Sequence, residues 1–208
     1  MNRTSIIIDG PVGAGKSTLM GLIEEKGFVS FPEPILDNPL LEKFYQDKKK
    51  YSAKLQDFFL EARYNHIQST YDKEKVVLDR GIYCDEVFAK MLTDNGDMTI
   101  SEFNAYKIKL QDMLSRCQTP TLMIYLKISV EGALKRIQKR NREYEQTVER
   151  SYWEELNRRY EEYFSSYNYS PLLTIDVTDI DFENNDGDRE FVLKAINSTL
   201  VKLGHEPI

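Results

Sequence analysis

The chain has 208 residues, enough for one domain with a sizeable apolar core and no need of disulfides or a structural metal. Its formal net charge of −6 excludes a general nucleic-acid binder, which needs a basic stripe against the phosphate backbone. Two cysteines, Cys84 and Cys117, form neither a disulfide framework nor a metal site, and no apolar run approaches the roughly 20 residues of a membrane span.

The first apolar run, Ser5–Asp9, starts so early that no signal or transit peptide fits before it, so a cytoplasmic location is expected. It runs straight into Gly10, Pro11, Val12, Gly13, Ala14, Gly15, Lys16, Ser17 and Thr18. A helix over Thr18–Lys26 follows and stops at Gly27. The second strand, Phe28–Phe31, ends in Pro-Glu33-Pro, and Lys48–Lys50 reads as a solvated loop. Helical spacing covers Tyr51–Tyr71, strand Val76–Asp79 ends in Asp79-Arg80, and helices are expected over Tyr83–Leu92 and Ser101–Ser115. Strand Leu122–Leu126, helices Ser129–Arg140 and Glu149–Tyr163, and strand Leu172–Asp176 complete the series, with polar turns at Asp94–Asp97 and Asn184–Asp188. The strands are short, rich in β-branched residues and not alternating, which suits burial on both faces of a parallel sheet. The expected architecture is a three-layer α/β domain over residues 1–208, with a five-stranded parallel sheet flanked by helices. In such sheets ligands sit at the carboxyl ends of the strands.

The segment Gly10–Thr18 fills the pattern GxxxxGK[ST] in a strand–loop–helix context. Its glycines let backbone N–H groups turn in around phosphate oxygens, and the following helix aims its positive dipole end at them. Lys16 can reach the β- and γ-phosphates, and the Ser17 hydroxyl is placed to ligate Mg²⁺. The chain therefore binds a nucleoside triphosphate. Glu33, held between two prolines, can accept a proton from an attacking hydroxyl, or it can cap a helix or close a turn. Asp79 closes an apolar strand as a metal-shell carboxylate does, and Arg80 can hold a nucleophile or neutralise developing charge.

Residues 135–145 carry the densest charge in the chain; Arg136 and Arg140 share a helix face and Arg142 follows it. Such a run suits a basic lid over a triphosphate, and it also suits a plain solvated face. Gln56, Phe59 and Arg63 share one helical stripe, which could read a base edge or simply form a rim. His66 and His205 lack metal-ligand spacing, and the series Tyr152, Trp153, Tyr160, Tyr163 and Phe164 reads as packing.

Taken together, these motifs resemble the deoxynucleoside kinase family from Ile6 to about Phe182. The Pro-Glu-Pro-Ile at 32–35, the Tyr-Trp-Glu-x-Leu-Asn at 152–157 and the Tyr-Glu-Glu-Tyr at 160–163 are similar to its bacterial deoxyadenosine and deoxyguanosine members. The resemblance implies a P-loop kinase fold with a basic lid at about 136–148. It implies Mg²⁺-assisted transfer of the ATP γ-phosphate to the 5′-hydroxyl of a deoxynucleoside in nucleotide salvage. Deoxyadenosine is the expected acceptor, with deoxyguanosine and deoxycytidine as alternatives.

By the same resemblance, Glu33 is the base for the 5′-hydroxyl, and Asp79 and Arg80 serve the Mg²⁺ shell and the 5′-oxygen. Gln56 pairs with the nucleobase, Arg63 and Asp85 close the far end of its pocket, and Tyr45 and Glu145 hold the sugar 3′-hydroxyl. Arg136, Arg140 and Arg142 are lid arginines over the donor, and Asp181 and Phe182 meet its adenine. Gly81 stands where Ser is frequent in the family. A homodimer is implied, with no nucleic-acid or membrane partner.

A thymidylate-type monophosphate kinase would share the loop, the Asp-Arg pair and the lid. It needs an arginine for the acceptor phosphate after the second strand, where this chain has Pro-Glu-Pro and no Arg before Arg63. A GTPase-like switch needs Asn-Lys-x-Asp, which the sequence does not contain.

Overall fold

Five strands align side by side in the order β2-β3-β1-β4-β5: β1 (Thr4–Asp9), β2 (Val29–Phe31), β3 (Lys75–Asp79), β4 (Leu122–Lys127) and β5 (Leu172–Asp176). Every pairing is parallel, as the non-alternating apolar runs require. The computed structural model describes residues 3–33, 38–146 and 148–208. Pro34 and Ile35 of the Pro-Glu-Pro-Ile motif and Thr147 of the expected lid lie outside the described residues.

Strand side chains divide by parity between two apolar layers. Ile7, Val76, Leu78, Met123 and Tyr125 face a cluster built with α3 (Lys48–Gln68), α4 (Glu86–Asp94), α5 (Ile100–Ser115) and α8 (Arg150–Ser165). Ile6, Ile8, Val77, Leu122, Ile124 and Leu126 face the opposite cluster, which takes in α1 (Lys16–Glu24) and α9 (Asp186–Lys202). The three expected layers are thus present. The carboxyl ends of β1, β2 and β3 then bring the phosphate loop, Glu33 and Asp79-Arg80 to one edge. Among the described residues no helix is long and apolar enough to cross a membrane.

Several local expectations are corrected. Lys48–Lys50 is the first turn of α3, not a loop, because the Asp47 side chain accepts from the Lys50 N–H at 3.1 Å and caps the helix. α3 accordingly ends at Gln68 rather than Tyr71. The helix expected over Tyr83–Leu92 is a 3₁₀ turn at Ile82–Cys84 followed by α4. The polar stretch Asn184–Asp188 is the start of the unforeseen helix α9: the Asn185 side chain accepts from the Asp188 N–H. Two short helices, α2 (Leu41–Gln46) and α7 (Glu143–Gln146), were likewise not expected. The aromatic residues of α8 do pack inward, with Tyr160 fully buried and Phe164 stacked 4.1 Å from Tyr125.

α9 completes a layer rather than decorating it: Val192, Ile196 and Leu200 are fully buried. Truncating Ile196→Ala should cost about 2–5 kcal/mol of stability by urea unfolding. A loss near zero would mean that α9 does not close the core.

Candidate active site

Between β1 and α1 the chain wraps a loop whose glycines take conformations closed to other residues. Gly13 has φ +86°, and a Cβ there would meet the Ala133 carbonyl oxygen at 2.8 Å, so only glycine lets the loop lie against α6 (Val130–Arg140). Gly15, at φ +93°, forms the N-cap of α1, whose first N–H groups therefore point into the loop. Lys16 lies back across this loop, its Nζ donating to the carbonyls of Gly10 at 3.1 Å and Pro11 at 2.9 Å. Burial, with Arg80 alongside, lowers the Lys16 ammonium from 10.5 to about 8.

At the end of β3, Ser17 Oγ donates to Asp79 Oδ2 at 2.7 Å, while Asp79 Oδ1 is buried with no hydrogen-bond partner. Burial raises the Asp79 carboxyl, with Lys16 opposing it. An orphaned carboxylate oxygen beside a hydroxyl fits a divalent cation. Among the described residues no group of three or more His, Cys, Asp or Glu could hold a metal. A cation here would complete its shell with phosphate oxygens and water, as Mg²⁺ commonly does.

Next to Asp79 lies a chain of five charges of alternating sign, four of them buried and Glu33 partly so. Asp9 Oδ1 meets Arg80 Nη1 at 2.8 Å, and Arg80 Nε meets Glu33 Oε1 at 3.1 Å. The same Glu33 oxygen meets Arg63 Nη2 at 2.5 Å, and Arg63 Nη1 donates to Asp85 Oδ1. Burial alone would raise the Glu33 carboxyl, but the Arg80 and Arg63 guanidinium groups outweigh it and hold it at about 2. For Asp85 burial dominates and lifts the carboxyl to about 6 against the pull of Arg63. Asp85 sits at the start of α4, yet its side chain caps no helix N–H. Its Oδ2 is buried without a partner.

Glu33 and Arg63 open onto a cleft of about 840 Å³, open solvent at its mouth included. Phe44, Phe59 and Phe88 form its apolar walls, Gln56 and Tyr45 its polar ones, and Lys16, Ser17 and Asp79 its phosphate-loop end. Arg140, Arg142 and Glu145, from the stretch expected to form a lid, border the same space. Arg140 makes a two-pronged pair with Glu145, its Nε at 2.8 Å from Oε2 and its Nη2 donating to Oε1, while Arg142 Nη1 lies 3.7 Å from Glu145 Oε1.

Nearly all the acceptor-side residues expected from the sequence therefore converge on one cleft; Asp85 stands behind Arg63 rather than on the cleft surface. Three donor-side residues are engaged by the protein itself. Arg136 points at backbone, donating to the carbonyls of Gly13, Ala14, Val177 and Ile180. Phe182 is buried against the loop, so close that a Cβ on Gly15 would lie 2.7 Å from its ring. Asp181 accepts from the Asn184 N–H at 3.1 Å and closes the turn before α9. Sequence reasoning missed Asp9 and Tyr160, which hold Arg80 from behind. The clue was a carboxylate at the last position of an otherwise apolar strand.

A loop built for phosphate thus empties into an aromatic-walled cleft with room for a second molecule, so fold and site define a nucleotide-dependent phosphotransferase with a small-molecule acceptor. The chain belongs to the deoxynucleoside kinase family, whose match covers residues 6–202, and it is an ATP-dependent deoxynucleoside kinase. It is 39% identical to a deoxyguanosine kinase of Lactobacillus johnsonii, over 97% of this chain and 94% of that one. A deoxyadenosine/deoxycytidine kinase of Bacillus subtilis is 36% identical over 95% of this chain and 94% of its own. The solved structure of the M. mycoides deoxyadenosine kinase with bound dATP superposes with a TM-score of 0.84 at 31% identity. That match covers 93% of this chain and 100% of the other.

The lowered Lys16 pKa has a measurable consequence. The ammonium holds phosphate only when protonated, so affinity for ADP should fall as pH rises through about 8, the free-enzyme value. Calorimetric titration from about pH 6.5 to 9.5 checks this, and Lys16→Met should bind weakly without the decline. Affinity that stays flat to about pH 9.5 would contradict the assignment.

Proposed function

We propose that this enzyme phosphorylates the 5′-hydroxyl of a deoxynucleoside bearing an amino group on its base, deoxyadenosine first, with deoxyguanosine and deoxycytidine also accepted. The observation that carries the reading is Glu33, fixed as an anion between Arg63 and Arg80 where the phosphate loop meets the cleft. A carboxylate so placed accepts the hydrogen bond of the 5′-hydroxyl, aims its oxygen at the γ-phosphorus and takes the proton as the new O–P bond forms. A base of low pKa suffices, because phosphoryl transfer passes through a loose transition state in which positioning and charge stabilisation dominate.

In this reading Lys16, Arg80, Arg140 and Arg142 neutralise the phosphoryl oxygens. Ser17 and Asp79 would hold Mg²⁺, which when bound supplies further charge neutralisation to the triphosphate. Arg140 and Glu145 exchange their mutual pair for the phosphates and for the sugar 3′-hydroxyl, beside Tyr45. Arg136 and Phe182 brace the loop, a supporting task rather than direct contact with the donor. Gln56 and Arg63 meet the base edge between Phe44 and Phe59. Asp85 does not line the cleft; it pairs with Arg63 from behind and so orients the guanidinium that meets the base. The names of the relatives support an amino-bearing base: they act on deoxyguanosine, deoxyadenosine and deoxycytidine. The enzyme works in the cytoplasm as a homodimer, a reading supported by the exposed Ile100 and Ile108 on α5.

The test is a side-by-side comparison of kcat/KM for the four deoxynucleosides, with Glu33→Gln assayed alongside. Deoxyadenosine should exceed thymidine by a wide margin. Glu33→Gln, with folding checked by circular dichroism, should lose at least about 10²-fold in kcat and little in nucleoside binding. Preference for thymidine would contradict the pocket reading, and near wild-type kcat in Glu33→Gln would remove Glu33 from the proton transfer.

A further inference from the structure

Arg80 is held in a conformation that its own backbone resists. Its φ is +68°, in the left-handed region where a non-glycine residue is strained, and such strain persists only where the surroundings over-determine it. The surroundings here are specific. The Arg80 N–H continues the sheet by donating to the Ile8 carbonyl at 2.9 Å. Its Nη1 donates both to Asp9 Oδ1, at 2.8 Å, and to the Tyr160 hydroxyl. That hydroxyl in turn donates to Asp9 Oδ1 at 3.2 Å, closing a triangle in which all three side chains are buried. The guanidinium lies 5.4 Å from the Phe88 centroid and 5.6 Å from that of Tyr160, two rings that themselves meet edge to face.

The same Asp9 oxygen accepts from the N–H of Gly10, the first residue of the phosphate loop, at 2.7 Å. One carboxylate oxygen therefore ties the donor-binding loop directly to the guanidinium that touches Glu33. Burial holds the Tyr160 hydroxyl far above the ordinary phenol range, so it stays neutral and keeps its hydrogen.

We propose that Asp9 and Tyr160 are positioning residues that lock Arg80 in register with the phosphate loop, fixing the distance between the attacking hydroxyl and the transferred phosphoryl group. The proposal rests on the role given above to Arg80. Neither residue faces the cleft, so neither contributes to holding substrate. Their loss should appear in the transition state rather than in ground-state binding.

Asp9→Asn keeps the shape and the acceptor for Gly10 but removes the charge, and Tyr160→Phe deletes one oxygen. Rates are measured per folded enzyme, with Arg80→Lys as the reference. Asp9→Asn should lower kcat by about 10-fold or more and Tyr160→Phe by about 3-fold or more, with KM for ATP and deoxyadenosine within about 3-fold of wild type. In the Arg80→Lys background each should add no more than about 2-fold, because they act through the same guanidinium. A purely structural role would lower the melting temperature and leave kcat per folded enzyme intact. If Arg80→Lys is impaired while both single variants keep wild-type kcat, the proposal fails and the reading of Arg80 stands. If Arg80→Lys keeps wild-type kcat, the reading of Arg80 fails and takes the proposal with it. Effects confined to KM, or losses that multiply in full on the Arg80→Lys background, also overturn it. Should Asp9→Asn not fold, Tyr160→Phe decides alone by the same criteria.

Discussion

Glu33 is an anion largely withdrawn from water, and it stays one because two guanidinium groups close on one of its oxygens. Each buried ion costs several kcal/mol to desolvate, and the cost is recovered only where every charge meets opposite charge in good geometry. The sequence of signs Asp9, Arg80, Glu33, Arg63, Asp85 gives every charge an opposite neighbour, and only the far end is incompletely satisfied, with Arg63 Nε and Asp85 Oδ2 left without partners. Removing any interior member strands its neighbours, a loss of about 3–5 kcal/mol for a buried pair broken on one side. The middle carboxylate of this series, Glu33, and its last, Asp85, respond to pH in opposite senses. The depressed Glu33 contributes stability above its unfolded value of 4.5 that is lost as pH falls toward about 2. The raised Asp85 favours the fold when protonated, and that contribution disappears as pH rises from 3.8 through about 6.

The parallel sheet makes this arrangement possible. Asp9 ends β1, Asp79 ends β3 with Arg80 next after it, and Glu33 follows β2, so three strand termini bring these carboxylates and one arginine together. Arg63 comes from α3 and Asp85 from the start of α4, which closes the chain of charges from the helical layer. The phosphate loop leaves from β1, the strand between β3 and β4. The phosphate loop and the cleft therefore meet along β1, and Asp9, behind the cleft surface, ties the loop to Arg80.

Much of this was legible in the sequence because the signals are local. The glycine loop, the five apolar runs and the side-chain types at the strand ends each depend on a few adjacent residues, and the site residues they suggested do gather at one cleft. What escaped was set by contact between distant segments. The layer completed by α9 depends on Val192, Ile196 and Leu200 finding the sheet, whereas the Asn-Asn-Asp-Gly opening of that helix reads locally as a turn. Arg136 sits in a run of charges that looks like a lid, but it spends its donors on four carbonyls from two loops. Asp9 looks like an unremarkable strand end until the fold brings Arg80 and Tyr160 to it across 71 and 151 positions of sequence.

The claim that Glu33 is a permanently ionised hinge between two arginines can be read directly from its carboxyl carbon. In protein labelled with ¹³C at the glutamate side-chain carboxyl, with the Glu33 resonance assigned by its absence in Glu33→Gln, the account predicts that this signal keeps its ionised position from about pH 7 down to about pH 4. The shift toward the protonated position should come only as pH approaches about 2. A Glu33 resonance that titrates with a midpoint at or above the ordinary 4.5 would show that the arginines do not hold it, and the account of the site would be wrong.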